Sequence, residues 1–277
     1  MSTISKTTFS RVLVPLDGSL PATTALKVGE QLADRWGADL QVITLIEKSR
    51  VPTGINHLIE KQLARINLNP KVEVRPISFG VAEDIAGEFD SVDDTFVVMS
   101  SWARGRSAGL LTNVAEDVFR LVRQPMLLTG TDVELPDDWP SGPLLICVDG
   151  SHFSEAIIQS AVLFAKGLSM EVSFVSVVDS SALPAGANPV AESNFLARLA
   201  GDAQVVLGRE VNYDVLHGPD PAEAIADYAN HHGASAIAMA THVRSGISRL
   251  THGSVAMDVV SKAHCPVLID RPSSENG

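Results

Sequence analysis

Two short polar segments in the second half of the chain have residue types that could bind a ligand. Asp149-Gly150-Ser151 follows an aliphatic run, and its carboxylate can accept hydrogen bonds. Gly253-Ser254 precedes a stretch with helical periodicity. Free backbone N–H groups and the helix dipole favour an anion at such a helix start. Positive side chains that could add to this anion site lie in the same region: His242, Arg244, Arg249 and His252.

The aspartate has a second interpretation that needs no ligand. Asp17 in the first half of the chain also follows an aliphatic run and precedes Gly and Ser. An aspartate at a strand-to-helix turn can cap the following helix by accepting a hydrogen bond from a backbone N–H group. Helix cap and ligand contact therefore both stay open for Asp17 and Asp149.

The motifs that mark common catalytic sites are missing. There is no G-x-x-x-x-G-K-[ST] phosphate loop and no G-x-G-x-x-G dinucleotide fingerprint. Cys147 and Cys265 form no C-x-x-C pair and are expected in the core. His231-His232 has no third ligand nearby and is expected at a helix C-terminus. We therefore predict no enzyme; an ATP-consuming enzyme stays as an alternative, although the pyrophosphatase-type loop Ser-Gly-Gly-x-Asp-Ser is absent.

The chain contains an internal repeat. Val14–Ser19 reappears as Ile146–Ser151, 132 positions further on, and self-similarity of this kind is typical of a duplicated domain. Residues 131–143 contain three prolines and a run of acids, which is the composition of an extended linker. The repeat predicts a first domain at 1–130, a linker at 131–143 and a second domain at 144–277.

Each copy alternates strand and helix patterns. Aliphatic runs with little polar alternation, such as Arg11–Leu16 and Leu144–Val148, indicate strands buried on both faces of a parallel sheet. Apolar residues at spacings of three and four follow these runs and indicate crossover helices. The remaining predicted strands are 40–46, 96–99, 126–129, 172–178, 236–239 and 267–270.

The fold prediction is α/β, with two tandem doubly wound parallel-sheet domains of Rossmann-like type. The two domains are expected to pack as a pseudo-dimer, because the unpaired backbone groups of their last strands need cover. Ligands of such sheets lie beyond the carboxyl ends of the strands, where the strand order reverses. Asp149 and the loop after Met239 should therefore come together there.

The composition is that of a folded, acidic protein. Hydrophobic residues make up 45% and charged residues 19% of the chain, which is too apolar for disorder. The formal net charge of −12 disfavours nucleic acid and anionic membranes as partners. The first ten residues lack an apolar signal segment, and no run approaches the roughly 18 apolar residues of a membrane span. We therefore expect a cytoplasmic protein.

The second copy resembles the universal stress protein family. The late loop of that family has the form G-x2-G-x9-G-[ST], followed by Val-Ala, a helix and Cys-Pro-Val. This sequence has Met239–Gly246, Leu250–Ala256 and His264–Leu268 in the same order, and the resemblance extends over both copies. It implies a stress-response protein that binds ATP or a related adenine nucleotide without catalysis and acts through protein partners.

The resemblance also implies candidate binding residues in the second copy. Asp149 and Val177 would hold the base and ribose, and Met239 would lie beside the base. The phosphate contacts would fall on the late loop, at Ala240, Val243, Arg244, Gly253 and Ser254. Association of two chains into a homodimer is a further expectation.

The late loop departs from the family pattern at its two leading glycines, which are replaced by Ala240 and Val243. A β-branched residue in the left-handed conformation costs about 1–3 kcal/mol, so Val243 opposes tight ATP binding. In the first copy Ser100 and Ala103 replace these glycines and Thr112-Asn113 replaces Gly-Ser, so this copy is expected to hold no nucleotide. A nucleotide-free structural or interaction protein of the same fold stays as the alternative.

Overall fold

The chain forms two compact units that correspond to the two copies of the repeat. The computed structural model describes residues 8–17, 19–47, 70, 72–101, 114–122, 124–179, 189–241 and 255–271. The N-terminal unit is Thr8–Thr131, and the C-terminal unit begins at Asp132. None of the helices in these ranges is long and apolar enough to cross a bilayer.

The N-terminal unit is a parallel sheet flanked by helices. Its elements are β1 (Arg11–Pro15), α1 (Leu20–Trp36), β2 (Asp39–Ile46), β3 (Val72–Pro76), α2 (Val81–Asp90), β4 (Thr95–Ser100), α3 (Val114–Leu121) and β5 (Met126–Thr129). The strand order is β3-β2-β1-β4-β5, and each neighbouring pair is parallel. The strand order reverses between β1 and β4: β2 and β3 are added on one side of β1, and β4 and β5 are added on the other.

The C-terminal unit repeats this plan. Its elements are β6 (Leu144–Cys147), α4 (His152–Glu155), α5 (Ile157–Leu168), β7 (Val172–Val178), α6 (Pro189–Leu207), β8 (Asn212–His217), α7 (Pro221–His231), β9 (Ala236–Ala240), α8 (Val255–Lys262) and β10 (Val267–Asp270). The strand order is β10-β9-β6-β7-β8, again parallel throughout. Each unit is therefore the doubly wound α/β sheet that the sequence predicts; the packing of the copies as a pseudo-dimer stays a prediction.

Helix α1 shows how local sequence fixes the packing of the sheet. The Ser19 hydroxyl caps the helix by accepting a hydrogen bond from the Ala22 backbone N at 3.3 Å. A Cβ at Gly29 would lie 2.4 Å from Val14 Cγ2, so the helix approaches β1 at a distance that only glycine permits. The apolar stripe of the helix, which ends at Trp36, is buried as predicted.

The predicted strands are confirmed to within one residue at each end, but β3 and β8 are absent from the prediction. Both are outer strands of their sheets and pair on one side only within the unit. Their side chains are exposed or half-buried. Because an edge strand need not be apolar on both faces, it has no continuous hydrophobic run by which to be recognised.

The segment predicted as an extended linker packs on the C-terminal unit. The Trp139 side chain is 2% exposed, and its Nε1–H donates to the Ser235 carbonyl oxygen at 2.7 Å. The Ser235 hydroxyl accepts hydrogen bonds from the backbone N–H groups of Ser141 and Gly142, at 3.0 and 2.6 Å. The proline and acid content of this segment therefore does not reveal that a buried indole attaches it to the unit.

Candidate functional site

The carboxyl edge of the C-terminal sheet brings together four predicted binding residues: Asp149, Val177, Met239 and Ala240. Strand β6 ends at Cys147, which pairs with Val175 on β7 and with Met239 on β9. Asp149 follows β6 directly, and Val177 lies two residues beyond Val175. This edge is where the strand order reverses, as predicted for a ligand site.

Asp149 forms a tight turn that precedes the first helix. Its Oδ1 accepts hydrogen bonds from the Ser151 backbone N at 3.0 Å and from the Ser151 hydroxyl at 2.6 Å. Gly150, between them, has φ 79°, in the left-handed region that glycine occupies without strain. The Ser151 hydroxyl in turn accepts a hydrogen bond from the Ser154 backbone N at 3.1 Å and is the N-cap of α4.

Of the two interpretations left open for Asp17 and Asp149, the helix cap is wrong in both copies, because Ser19 and Ser151 are the N-caps. In the N-terminal unit Asp17 Oδ1 accepts a hydrogen bond from the Ser19 backbone N at 2.8 Å, and Ser19 caps α1. The aspartate therefore holds the capping residue rather than the helix itself. The reason is geometric, because the residue two positions after the aspartate reaches the free N–H groups of the first turn.

The environment of Asp149 keeps its carboxylate ionised. The residue as a whole is exposed. Partial burial of the carboxyl group raises its pKa, but the hydrogen bonds from Ser151 and the interaction with Ser154 outweigh this effect, so the pKa lies below the usual aspartate value. An ionised, exposed carboxylate at this edge is a hydrogen-bond acceptor for a ligand hydroxyl or amino group.

The two strands beside Asp149 supply apolar surface. The Met239 side chain is 7% exposed, and Val177 and Ala240 are half-buried. Ala240 is the last residue of β9, and the next backbone N–H, that of Thr241, donates to the Asp270 carbonyl oxygen at 2.9 Å. The edge therefore combines the exposed Asp149 carboxylate with aliphatic and thioether side chains.

Most of the predicted phosphate contacts lie outside the described residues: Val243, Arg244, Gly253 and Ser254, together with His242, Arg249 and His252. The same holds for Ala103, Thr112 and Asn113 of the first copy. Helix α8 begins at Val255, immediately after Gly253-Ser254, as the sequence predicts. The contacts of these residues with phosphate stay a prediction.

Asp270 belongs to the same edge, although no sequence motif marks it. It is the last residue of β10 and is 3% exposed. Its Oδ2 accepts a hydrogen bond from the Ser160 hydroxyl on α5 at 2.6 Å, and its Oδ1 accepts one from the Arg271 backbone N at 2.7 Å. Burial raises the pKa of the Asp270 carboxyl to about 6, although these hydrogen bonds favour its ionised form. The sequence indicates this position only indirectly: alignment of the two copies places Asp270 opposite Thr129, the last residue of β5.

Cysteine and histidine residues take the structural roles predicted for them. Cys147 and Cys265 are buried, and burial raises the pKa of the Cys265 thiol to about 12 and that of Cys147 as well. The His231 and His232 rings donate from Nδ1 to the carbonyl oxygens of Asp227 and Tyr228, at 2.7 and 2.9 Å, at the end of α7. Within the described ranges, no three His, Cys, Asp or Glu residues are grouped as a metal site.

Comparison with known proteins finds similarity to universal stress proteins. The Universal stress protein family matches residues 141–271. Universal stress protein MJ0531 of Methanocaldococcus jannaschii is 32% identical over 143 residues, 48% of this chain and 84% of that protein. Universal stress protein Rv2005c of Mycobacterium tuberculosis is 27% identical over 187 residues, 64% of this chain and 62% of that protein.

A solved structure extends the similarity over both units. The crystal structure of a universal stress protein from Archaeoglobus fulgidus covers 95% of this chain and 99% of that chain, with a TM-score of 0.64 and 17% identity. At that identity the similarity concerns the fold. Together with the sequence relatives, the doubly wound sheet and its Asp-Gly-Ser turn define the class: the chain belongs to the universal stress protein family.

Proposed function

We propose that the C-terminal unit binds an adenine nucleotide, ATP or a close relative, and senses it without converting it. The observation that carries the proposal is the Asp149 turn, which holds an exposed, ionised carboxylate where the strand order reverses. Val177 and Met239 lie on the two neighbouring strands and offer apolar surface that suits a purine base. Membership of the family adds a role in stress response, exercised through a protein partner.

The phosphate side of the proposal relies on Gly253 and Ser254. Helix α8 begins directly after them, so their backbone N–H groups precede a helix as an anion site requires. Arg244 would add positive charge. Ala240 and Val243 stand where glycine would allow the backbone to approach phosphate closely, so we expect ATP to bind more weakly than it would with glycine at these positions.

The N-terminal unit provides the matched control for a test. We expect Asp149→Ala to weaken ATP binding at least about tenfold, because a charged hydrogen-bond acceptor is lost. Asp17→Ala makes the same change in the unit that we propose to be empty and should leave ATP affinity unchanged. Isothermal titration calorimetry of both variants and the parent protein, with product analysis for hydrolysis, is the measurement. Equal weakening in both variants, or weakening in Asp17→Ala alone, would reject the assignment.

A nucleotide-free interaction protein is the second candidate, and the observation that favours it is Val243. If strain at this residue closes the phosphate path, no nucleotide should accompany the protein on purification. Denaturing freshly purified protein and identifying released small molecules by mass spectrometry separates the two candidates. Stoichiometric release of an adenine nucleotide supports nucleotide binding, whereas none released and no calorimetric heat with ATP supports the alternative.

A further inference from the structure

A side chain outside the Asp149 turn forms hydrogen bonds with the backbone of the turn. Ser154 lies on α4 and is 7% exposed. Its hydroxyl accepts a hydrogen bond from the Asp149 backbone N at 3.0 Å and donates one to the Ser151 carbonyl oxygen at 3.0 Å. A single buried hydroxyl therefore connects the first and last residues of the turn.

We propose that Ser154 is a positioning residue of the nucleotide site, which holds the Asp149 turn in one conformation without contacting the ligand. This inference rests on the proposed function of the C-terminal unit. An acceptor that is already oriented loses less conformational freedom when a ligand binds than one that must be ordered first. Ser154 would therefore increase affinity through Asp149.

The N-terminal unit shows that the turn does not need this hydroxyl in order to form. Ala22 occupies the position of Ser154 and is 3% exposed, so its site is buried but has no hydroxyl. Asp17 nevertheless accepts the hydrogen bond from the Ser19 backbone N at 2.8 Å, and Ser19 still caps its helix. The bonds of Ser154 are therefore additional to those that define the turn, and they occur in the unit where a ligand is proposed.

Ser154 also affects the charge of the group that it positions. Ser154 is among the residues whose interactions lower the pKa of the Asp149 carboxyl against the opposing effect of burial. Residues on α4 that also titrate, His152 and Glu155, lie beside the turn. The pKa of Asp149 must therefore be read from its own carboxyl carbon rather than from a bulk titration.

The experiment uses the full chain and two readouts. The first is the pKa of Asp149 from the NMR titration of its side-chain carboxyl carbon in nucleotide-free protein. The second is the dissociation constant for ATP by calorimetry. Ser154→Ala and the volume-conserving Ser154→Cys should both raise the pKa of Asp149 and weaken ATP binding by about three- to tenfold. Ser154→Thr keeps the hydroxyl and should restore both values to those of the parent protein.

The matched control is Ser160→Ala, which removes another buried hydroxyl in the same unit. Ser160 bonds to Asp270 rather than to the turn. This control should leave the pKa of Asp149 and the affinity for ATP unchanged, even where it lowers the melting temperature. A loss of affinity that merely followed stability would appear in the control as well.

The outcomes separate this inference from the proposed function. An unchanged pKa of Asp149 in both Ser154→Ala and Ser154→Cys would overturn the positioning role, whether or not ATP binds. Weakened ATP binding that Ser154→Thr does not restore would also overturn it, because packing alone would then explain the loss. Absence of ATP binding in the parent protein, with a pKa of Asp149 that still depends on Ser154, would overturn the proposed function and leave the role of Ser154 in ordering the turn.

Discussion

In the C-terminal unit three buried polar side chains form hydrogen bonds at the carboxyl edge of the sheet, whereas the corresponding positions of the N-terminal unit carry no side chain that does so. The three are Ser154, Ser160 and Asp270, all at most 7% exposed. The corresponding N-terminal positions carry Ala22, Val28 and Thr129. The C-terminal unit therefore has side-chain hydrogen bonds next to the proposed ligand that the N-terminal unit lacks.

The amino edge of the N-terminal unit contains a buried arginine instead. Arg11 begins β1 and is 7% exposed. Its guanidinium donates to Thr95 Oγ1 at 2.8 Å and to the Glu88 carbonyl oxygen at 2.7 Å, and lies 3.3 Å from Glu88 Oε1. Glu88 also pairs with Arg75 and accepts a hydrogen bond from Gln41 Nε2 at 2.8 Å. Burial raises the pKa of Glu88, but these partners lower it below the usual value.

This difference shows how one fold can serve two purposes within a chain. A polar network far from the carboxyl edge connects β1, β2, β4 and α2 and contributes to the stability of its own unit. Under the proposed function, polar groups at the carboxyl edge would act on a ligand. The comparison predicts that substitutions in the first network change stability alone, whereas some substitutions in the second also change binding.

The largest expected effect is that of Arg11→Leu, which would leave Glu88 buried with one cationic partner fewer. We expect the free energy of unfolding of the N-terminal unit to fall by about 3 kcal/mol, because Glu88 loses one of its two cationic partners and the Thr95 hydroxyl and the Glu88 carbonyl oxygen lose a buried donor. Hydrogen exchange of peptides from β1, read by mass spectrometry, measures the change.

The control for this prediction is Arg198→Leu. Arg198 is 57% exposed and lies 3.6 Å from Asp202, and surface pairs of this kind contribute little. Its effect on the C-terminal unit, read from the hydrogen exchange of peptides of α6, should stay below about 1 kcal/mol. A loss for Arg11→Leu as small as that of the control would contradict the idea that the amino-edge network stabilises the unit.

The next effect concerns pH and Asp270. The pKa of this carboxyl rises from 3.8 in the unfolded chain to about 6 in the folded protein, so the folded state binds the proton more tightly. Its contribution to stability is present below pH 4 and is lost as the pH rises through about 6, by about 3 kcal/mol. Asp270→Asn should remove this slope and raise stability at pH 7. Urea denaturation at several pH values is the measurement.

Thr129 at the end of β5 provides the comparison in the other unit. Its hydroxyl is buried and has no hydrogen-bond partner among the described residues. Thr129→Val should therefore change stability by less than about 1 kcal/mol and should add no pH dependence between pH 4 and 6. If the difference in stability between Asp270→Asn and the parent protein were the same at every pH, the buried carboxylate would not be the titrating group.

The smallest expected effect is on the late loop. Val243→Gly, combined with Ala240→Gly, should tighten ATP binding about tenfold by relieving about 1.4 kcal/mol of strain. The first copy should not gain ATP binding from Ala103→Gly and Ser100→Gly, because it also lacks the Gly-Ser pair. Calorimetry of the double variants measures both effects. An unchanged affinity in the C-terminal double variant, with an intact circular dichroism spectrum, would favour the nucleotide-free alternative.

The strands could be predicted from the sequence wherever both of their faces are buried. β1 and β6 are aliphatic throughout because helices cover both faces of the sheet, so their residue types alone identify them. β3 and β8 could not be recognised in this way, because an edge strand meets fewer constraints. The short run Asp-Gly-Ser predicted a turn directly after a strand correctly, since the position of such a turn is a local property.

The contacts inside the candidate site were harder to predict from the sequence. The sequence does not identify the capping residue, because aspartate and serine are both good caps and only the geometry of the turn distinguishes Asp149 from Ser151. Ser154 occupies a position whose residue type has no motif, and its partners become apparent only once the turn is folded. Asp270 meets Ser160 across 110 residues of sequence, a pairing that no local pattern records.

The attachment of residues 132–143 has a consequence for dividing the chain. A fragment that begins at Leu144 would lack Trp139, and the carbonyl and hydroxyl oxygens of Ser235 would lose their donors. Removal of a buried tryptophan typically costs about 3–5 kcal/mol, a large share of the stability of a small domain. A fragment meant to fold alone should therefore start at or before Asp132. It would then include residues 132–143, although their composition is that of a linker.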